Sequence, residues 1–322
     1  MDIIGTAENP LPSGTVCGFI KTKDAVSLRY ARWESKGKGK GTICLFTGRG
    51  EFIEKQFEII TDLRRRGFHV AIIDWRGQGR SDRLISNPKK GYIGSFSAYQ
   101  KDIKAFLDQI VLPDCPPPYY ALAHSMGGTI LLHYAALSRP AWFRRMVITS
   151  PMIRLSPKSL PLPMIRLIST LACAAGLGRL YIPGGEATPA EMQDFATNSL
   201  SSDPERFARI GAVLKACPEL SSGSPTFAWL RAAFKAMDAF SDKDFINRIE
   251  TPTLLIAAGR DTIVSRRAIE KLGATLPAGG AVTIDGAKHD LQIEANFYRD
   301  QFLAAFDAFI PGSDEKDPDT AS

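Results

Sequence analysis

The chain has 322 residues, too long for one small domain and well suited to a single α/β domain that carries an insertion. Its 44% hydrophobic and 23% charged residues exclude disordered and fibrous classes. Net charge is +6, and setting aside residues 312–322, with four acids and one lysine, leaves 39 basic against 30 acidic residues, or +9. That balance permits mild attraction to anionic surfaces. No dense basic run with interleaved aromatics accompanies it, so nucleic acid is not an expected partner and most Lys and Arg read as solvated surface.

Taken in order, residues 15–33 hold two β-rich runs around the polar break Lys21 to Asp24, which predicts a hairpin at the start of a sheet. The apolar run Gly41 to Phe46 predicts a buried strand, and Thr47-Gly48-Arg49-Gly50-Glu51 a Gly-rich loop. A helix follows over Ile53 to Arg66, with Phe57, Ile60 and Leu63 at helical spacing. His69 to Asp74 reads as another buried strand, followed by the Gly-rich turn Trp75 to Asp82, and Phe96 to Ile110 as a helix with one apolar face. Tyr119 to Ala123 is a short buried strand that runs through His124-Ser125-Met126-Gly127-Gly128 into an apolar helix. Arg145 to Ser150 is a further strand.

This alternation implies a parallel sheet covered on both faces. It stops from Pro151 to about Asp242, where Pro-punctuated helical segments replace strands. It resumes with the strand Pro252 to Ala258, a helix Arg266 to Leu276, the strand Ala281 to Ile284 and a closing helix from about Asn296 to Phe309. The expected organisation is a core over residues 1–150, a helical cap over 151–242, a second core part over 243–311 and a disordered acidic tail over 312–322. An insertion above the sheet is well placed to act as a lid. Within it, only twelve residues separate Arg166 from Arg179, too few to span a bilayer. A packed lid helix is expected there, and contact with a membrane surface is the alternative.

Cys17, Cys44, Cys115, Cys173 and Cys217 are odd in number and widely spaced, so neither a disulfide framework nor a metal site is expected. The first residues lack a basic region followed by an apolar core and do not read as a signal peptide. A cytoplasmic location is expected, with peripheral contact at the inner membrane surface as an addition.

Chemistry enters at Ser125. A strand-turn-helix junction this tight strains its central residue and needs small residues two before and two after, which Ala123 and Gly127 supply. The hydroxyl then projects above the sheet edge beside the amide of Met126, giving a nucleophile with half an oxyanion hole. A serine needs an imidazole to take its proton. His69 starts a buried strand, His124 diverges from Ser125 along the turn, and His133 lies about two turns down the following helix. His289 remains, in a loop after the last strand and so at the same sheet edge as the serine. Asp261, directly after the strand Pro252 to Ala258, is the expected carboxylate partner, with Asp285 and Asp290 as rivals nearer in sequence. The order Ser125, Asp261, His289 is that of α/β-hydrolases. The second oxyanion donor is expected from the Gly-rich loop around Arg49, since glycines at 48 and 50 let a backbone amide approach. A phosphate cradle is the competing reading of that loop, weakened by the lack of a nucleotide-binding motif. Trp75 to Asp82 also resembles an anion-binding loop, but its glycines and Asp82 read rather as a structural turn beside the site. Acyl transfer by such a triad needs no cofactor, and no residue cluster calls for a metal.

TGRGEFIEK (Thr47 to Lys55), DWRGQGRSDR (Asp74 to Arg83), AHSMGG (Ala123 to Gly128), SPTFAWL (Ser224 to Leu230), GRDTIV (Gly259 to Val264) and GAKHDL (Gly286 to Leu291) together resemble the bacterial lysophospholipase L2 group of α/β-hydrolases, relatives of the monoglyceride lipases. The resemblance covers roughly residues 15–310. It implies a mostly parallel eight-stranded sheet flanked by helices, with an inserted helical cap. It also implies Ser125 as nucleophile, Asp261 as acid, His289 as base, and the amides of Arg49 and Met126 as oxyanion donors. Two positions depart from the pattern: Ala123 replaces the first glycine of the elbow, and Thr47 stands where many relatives carry a histidine. The expected activity is hydrolysis of a single-acyl lipid ester, a lysophospholipid or monoacylglycerol. An esterase or amidase for small soluble substrates and a non-catalytic binding protein on the same scaffold are the alternatives.

Overall fold

The computed structural model describes residues 3–138, 141–156 and 160–314. Residues 315–322 of the expected acidic tail therefore lie outside the described residues. Eight strands form one sheet in the order β1-β2-β4-β3-β5-β6-β7-β8. They are β1 (Val16–Lys21), β2 (Ser27–Trp33), β3 (Thr42–Phe46), β4 (His69–Ile73), β5 (Tyr119–His124), β6 (Phe143–Thr149), β7 (Thr253–Ala258) and β8 (Gly279–Ile284). β1 and β2 make the antiparallel hairpin, with Val16 opposite Arg32. β2 also runs antiparallel to β4, and every pairing from β4 through β8 is parallel.

The helices are α1 (Phe57–Arg65), α2 (Ser97–Phe106), a single turn α3 (Leu112–Asp114), α4 (Met126–Leu137), α5 (Leu162–Ala174), α6 (Pro204–Ala216), α7 (Phe227–Asp238), α8 (Lys243–Asn247), α9 (Arg266–Gly273) and α10 (Asn296–Phe309). Side chains alternate along each central strand between two apolar layers. Cys44, Phe46, Ala121 and Ala123 join a layer with α2, α4 and α9. Ile43, Leu45, Tyr120 and Leu122 join the other, with α1 and α10. Such double burial is why these strands are near-continuous apolar runs.

Three boundaries differ from expectation. The helix read over Phe96 to Ile110 widens into a π turn at Leu107–Val111, because Pro113 has no N–H to offer the carbonyl four residues back. β6 begins at Phe143, which pairs with Tyr119 ahead of the apolar run. The helix read from Ile53 opens as a 3-10 turn over Ile53–Gln56 before α1.

Between β6 and β7 the chain is helical, carrying α5 to α8 and several short turns. Local capping explains the starts of two of them: Asp203 accepts the Arg206 amide at α6 and Thr226 accepts the Trp229 amide at α7. α7 buries Trp229, Leu230 and Phe234 in the main core. α5 packs on α7 but leaves Met164, Leu167 and Leu171 exposed. Among the described residues no helix is long and apolar enough to cross a membrane.

Candidate active site

Ser125 sits between β5 and α4 with φ 50 and ψ −115, a strained conformation for a residue with a side chain. The junction is forced by close approach: a Cβ on Gly127 would lie 2.4 Å from the Phe46 carbonyl oxygen. Ala123 is fully buried opposite Phe46 in the sheet. The elbow is held by the Ser125 amide donating to Thr149 at 3.0 Å and the Met152 amide donating to Ser125 at 3.1 Å.

His289 Nε2 lies 3.0 Å from Ser125 Oγ, and its Nδ1 lies 2.6 Å from Asp261 Oδ2. The Asp261 side chain is fully buried, and its Oδ1 accepts the amides of Ile263 (2.8 Å) and Val264 (3.0 Å). Burial alone would raise the Asp261 carboxyl, yet the facing imidazole and these two amides hold it below its ordinary value. The His289 loop is anchored too. Ser150 Oγ donates to its carbonyl at 2.7 Å, and the next amide, Asp290, donates to Leu200 at 2.9 Å. The rival carboxylates lie elsewhere: Asp285 is exposed beside Arg266, and Asp290 Oδ2 is 2.9 Å from Lys55 Nζ.

Met126 is the first residue of α4, so its amide has no acceptor within the helix. The Arg49 amide lies in the loop after β3. Arg49 Nη1 donates to the Gly223 carbonyl at 2.8 Å, and the guanidinium lies 5.7 Å from the Trp229 ring centroid, so the loop is tied to α7. Thr47 Oγ1 is buried without a protein partner, and the Thr47 carbonyl accepts Trp75 Nε1 at 2.9 Å.

The other histidines are accounted for. His69 faces Ser35 at 3.4 Å, and His133 Nε2 lies 2.9 Å from the Ala236 carbonyl. His124 turns away from Ser125, with Nδ1 3.1 Å from Thr149 Oγ1, but its ring comes within 4.8 Å of the His289 ring centroid. Its diverging side chain therefore ends beside the site, a placement the sequence does not suggest.

A second feature escapes sequence reasoning. Lys55, with a side chain only 1% exposed, holds Glu51 at 2.9 Å, Asp290 at 2.9 Å and Glu191 at 3.1 Å. Burial alone would lower the ammonium, and the three carboxylates outweigh it, raising it well above its ordinary value. Glu191 belongs to the segment between β6 and β7, so this buried cluster joins that segment to the core. Glu51, His124 and Asp290 have ligand atoms within 4.8 Å of one another, a spacing a metal could use. The Lys55 ammonium already answers two of those carboxylates. A cavity of about 320 Å³ opens over Ser125 and His289, walled by Arg49, Glu191, Gln193 and Ser224 among others.

Residues 37–296 match the family model described as serine aminopeptidase, S33. Lysophospholipase L2 of Escherichia coli (strain K12) is 30% identical over 306 residues, spanning 89% of this chain and 85% of that protein. A soluble variant of monoglyceride lipase from Saccharomyces cerevisiae, in complex with a substrate analog, superposes with a TM-score of 0.73 at 18% identity, covering 92% of this chain and 96% of that one. A thermostable carboxyl esterase from Bacillus coagulans superposes with a TM-score of 0.72 at 18% identity, covering 94% and 99%. At such identities the two structures speak for the fold alone, an α/β-hydrolase sheet.

Proposed function

The chain belongs to the serine aminopeptidase, S33 family and, within it, to the lysophospholipase L2 group, and on that premise we propose that it hydrolyses the carboxylic ester of a single-acyl lipid, a lysophospholipid or monoacylglycerol. The observation that carries the reading is the imidazole of His289 set between Ser125 Oγ and Asp261. Ser125 attacks the ester carbonyl as His289 Nε2 takes its proton. Asp261 fixes the tautomer and stabilises the imidazolium. The amides of Met126 and Arg49 receive the developing oxyanion. His289 then protonates the departing glycerol oxygen, and a water activated by the same imidazole releases the fatty acid. No cofactor enters.

Residues 151–242 act as a cap in this reading, supported by the contribution of Glu191, Gln193 and Ser224 to the cavity wall. The exposed apolar side of α5 gives the protein a means of peripheral contact with a membrane, since Leu160 to Gly185 contains no acid. A reducing, cytoplasmic setting belongs to the same reading, since the five cysteines are odd in number and widely spaced.

The test is a hydrolysis panel of lysophosphatidylcholine, monoacylglycerol and synthetic esters of graded chain length, with Ser125→Ala as the blank. The expected result is activity that persists on long chains and falls by about 10⁴-fold or more in the variant. Full activity in a folded Ser125→Ala protein would sink the mechanism. The polar cavity wall favours a second reading, a small soluble ester or amide substrate, and a sharp fall in rate beyond short acyl chains would select it.

A further inference from the structure

Gln78 lies in the Gly-rich turn after β4, 4% exposed, and has no part in the mechanism above. Both polar ends of its side chain are used on the residues either side of Arg49. Its Nε2 donates to the Gly48 carbonyl at 3.0 Å, and its Oε1 accepts the Gly50 amide at 2.8 Å. A side-chain amide used in this way pairs with a backbone as a neighbouring strand would. From the other side, Glu51 Oε2 accepts the Gly48 amide at 2.6 Å. The Arg49 peptide is therefore suspended between two clamped neighbours.

The clamp is itself rigid. The Gln78 amide donates to Trp75 at 3.0 Å, and the Ser81 amide donates to Gln78 at 3.1 Å. The next residue, Gly79 (φ +51), presses on Asp74 so closely that a Cβ there would lie 2.0 Å from Oδ2. Asp74 accepts Arg29 Nε at 2.7 Å, the Ile53 amide at 3.0 Å and the Arg80 amide at 3.0 Å. Arg29 in turn forks onto Glu54, both bonds 2.7 Å, with all three charged side chains buried. This ionic cluster joins the turn that carries Gln78 to the start of the helical segment that follows the Arg49 loop.

We propose that Gln78 is a positioning residue for the oxyanion hole, holding the Arg49 amide in the direction of the tetrahedral oxygen. The proposal rests on the reading of Ser125 as nucleophile and of the Arg49 amide as oxyanion donor. An amide displaced by a few tenths of an ångström still tolerates the ground-state carbonyl but stabilises the transition state less, so the loss falls on kcat and spares KM.

The experiment compares wild type, Gln78→Met and Gln78→Glu on 4-nitrophenyl butyrate. Inhibition by a trifluoromethyl ketone, which forms a tetrahedral adduct on serine, is measured alongside Tm. Gln78→Met loses both bonds and is expected to lose about ten- to a hundredfold in kcat, with KM within about twofold. Ketone affinity falls in parallel. Gln78→Glu supplies a readout that a purely structural role would leave flat. A protonated carboxyl presents one donor and one acceptor as the amide does, while the ionised form has no donor. Its kcat/KM relative to wild type therefore rises as pH falls, at temperatures well below both Tm values. Unchanged kcat, a kcat loss without loss of ketone affinity, or a flat pH ratio each overturns the clamp. Fluorophosphonate labelling of wild-type Ser125 separates the two layers. Labelled enzyme with insensitive Gln78 variants overturns the clamp alone, whereas an unlabelled Ser125 overturns the nucleophile reading and the clamp with it.

Discussion

The carboxyl edge of the sheet and the outer side of α5 invert the usual placement of residue types in opposite ways. At the sheet edge, polar side chains are inside: His289 is 3% exposed and Ser125 8%. Each is matched by a partner, and burial without one would cost several kcal/mol. On α5, apolar side chains are outside: Leu167 is 58% exposed and Leu171 59%, with only Ser169 of the whole helix buried. In the first region Ser125, His289 and Asp261 are answered within the chain. The second region is not, and contiguous exposed apolar surface of this kind marks a place where something else binds. In the proposed function, chemistry belongs to the satisfied end and approach of the substrate to the unsatisfied one.

Removing partners at the sheet edge is expected to have the largest effects. Asp261→Asn keeps an oxygen for the amides of Ile263 and Val264 but turns an NH₂ towards His289 Nδ1, forcing the wrong tautomer. The expected outcome is a loss of about 10⁴-fold in kcat with little change in Tm. Steady-state kinetics beside a thermal melt checks it, and a loss below tenfold would leave Asp261 without its assigned role. Next is Lys55→Met, which strands Glu51, Asp290 and Glu191 around an apolar side chain. Denaturant titration is expected to show destabilisation of about 3–5 kcal/mol. A neutral result would mean the carboxylates take up protons or water at no cost.

How far these two regions were legible in the sequence follows from the range of the forces that build them. The serine elbow is a local demand, set by the tight turn that holds Ser125 at φ 50 and ψ −115, so the small residues around Ser125 reveal it. Strand ends sort Asp261 and His289 to the same edge, because a parallel sheet gathers its following loops there. The Lys55 cluster was not legible. It joins residues 51, 55, 191 and 290 through contacts across the fold, and a lysine in an amphipathic helix reads as solvated surface. Arg29 and Arg76, both buried in ion pairs, were hidden for the same reason. His124 returned to the site because its side chain, directed away from Ser125, still ends against His289. Gln78 was masked by its setting, since a glutamine between glycines signals a turn and nothing about what its amide holds.

A smaller effect is expected where the segment between β6 and β7 is pinned to the core by Glu58 of α1. Arg206 Nη2 reaches it at 2.7 Å, and Arg209 and Arg299 pair with it as well. Burial alone would raise the Glu58 carboxyl, and the three guanidinium groups outweigh it, bringing it down to about 2 from the ordinary 4.5. A depressed carboxylate stabilises the fold fully above its unfolded value and ceases to as pH falls through its folded one. Glu58→Gln is therefore expected to cost about 1 kcal/mol at neutral pH, discounted for its partial exposure. The Tm gap from wild type should close between pH 4.5 and about 2. A gap that stays constant over that window would show that packing, and not charge, pins α6.

The smallest effect on the free protein is expected on α5 itself, and there the contrast between the two regions is sharpest. Arg166 is held by Asp238, so any attraction of this helix to a bilayer rests on its leucines more than on free charge. Leu167→Gln with Leu171→Gln keeps helix propensity nearly constant and changes side chains that are more than half in water, at 58% and 59% exposure. Stability in buffer should therefore change by less than about 0.5 kcal/mol. Partitioning onto phosphatidylglycerol-containing vesicles, read by co-sedimentation, should fall by about tenfold or more, since each leucine entering an apolar phase contributes on the order of 1.5–3 kcal/mol when fully buried. Unchanged partitioning would deny α5 the membrane role. A stability loss of several kcal/mol would mean the leucines were answered within the chain after all, and the two regions would then obey one rule.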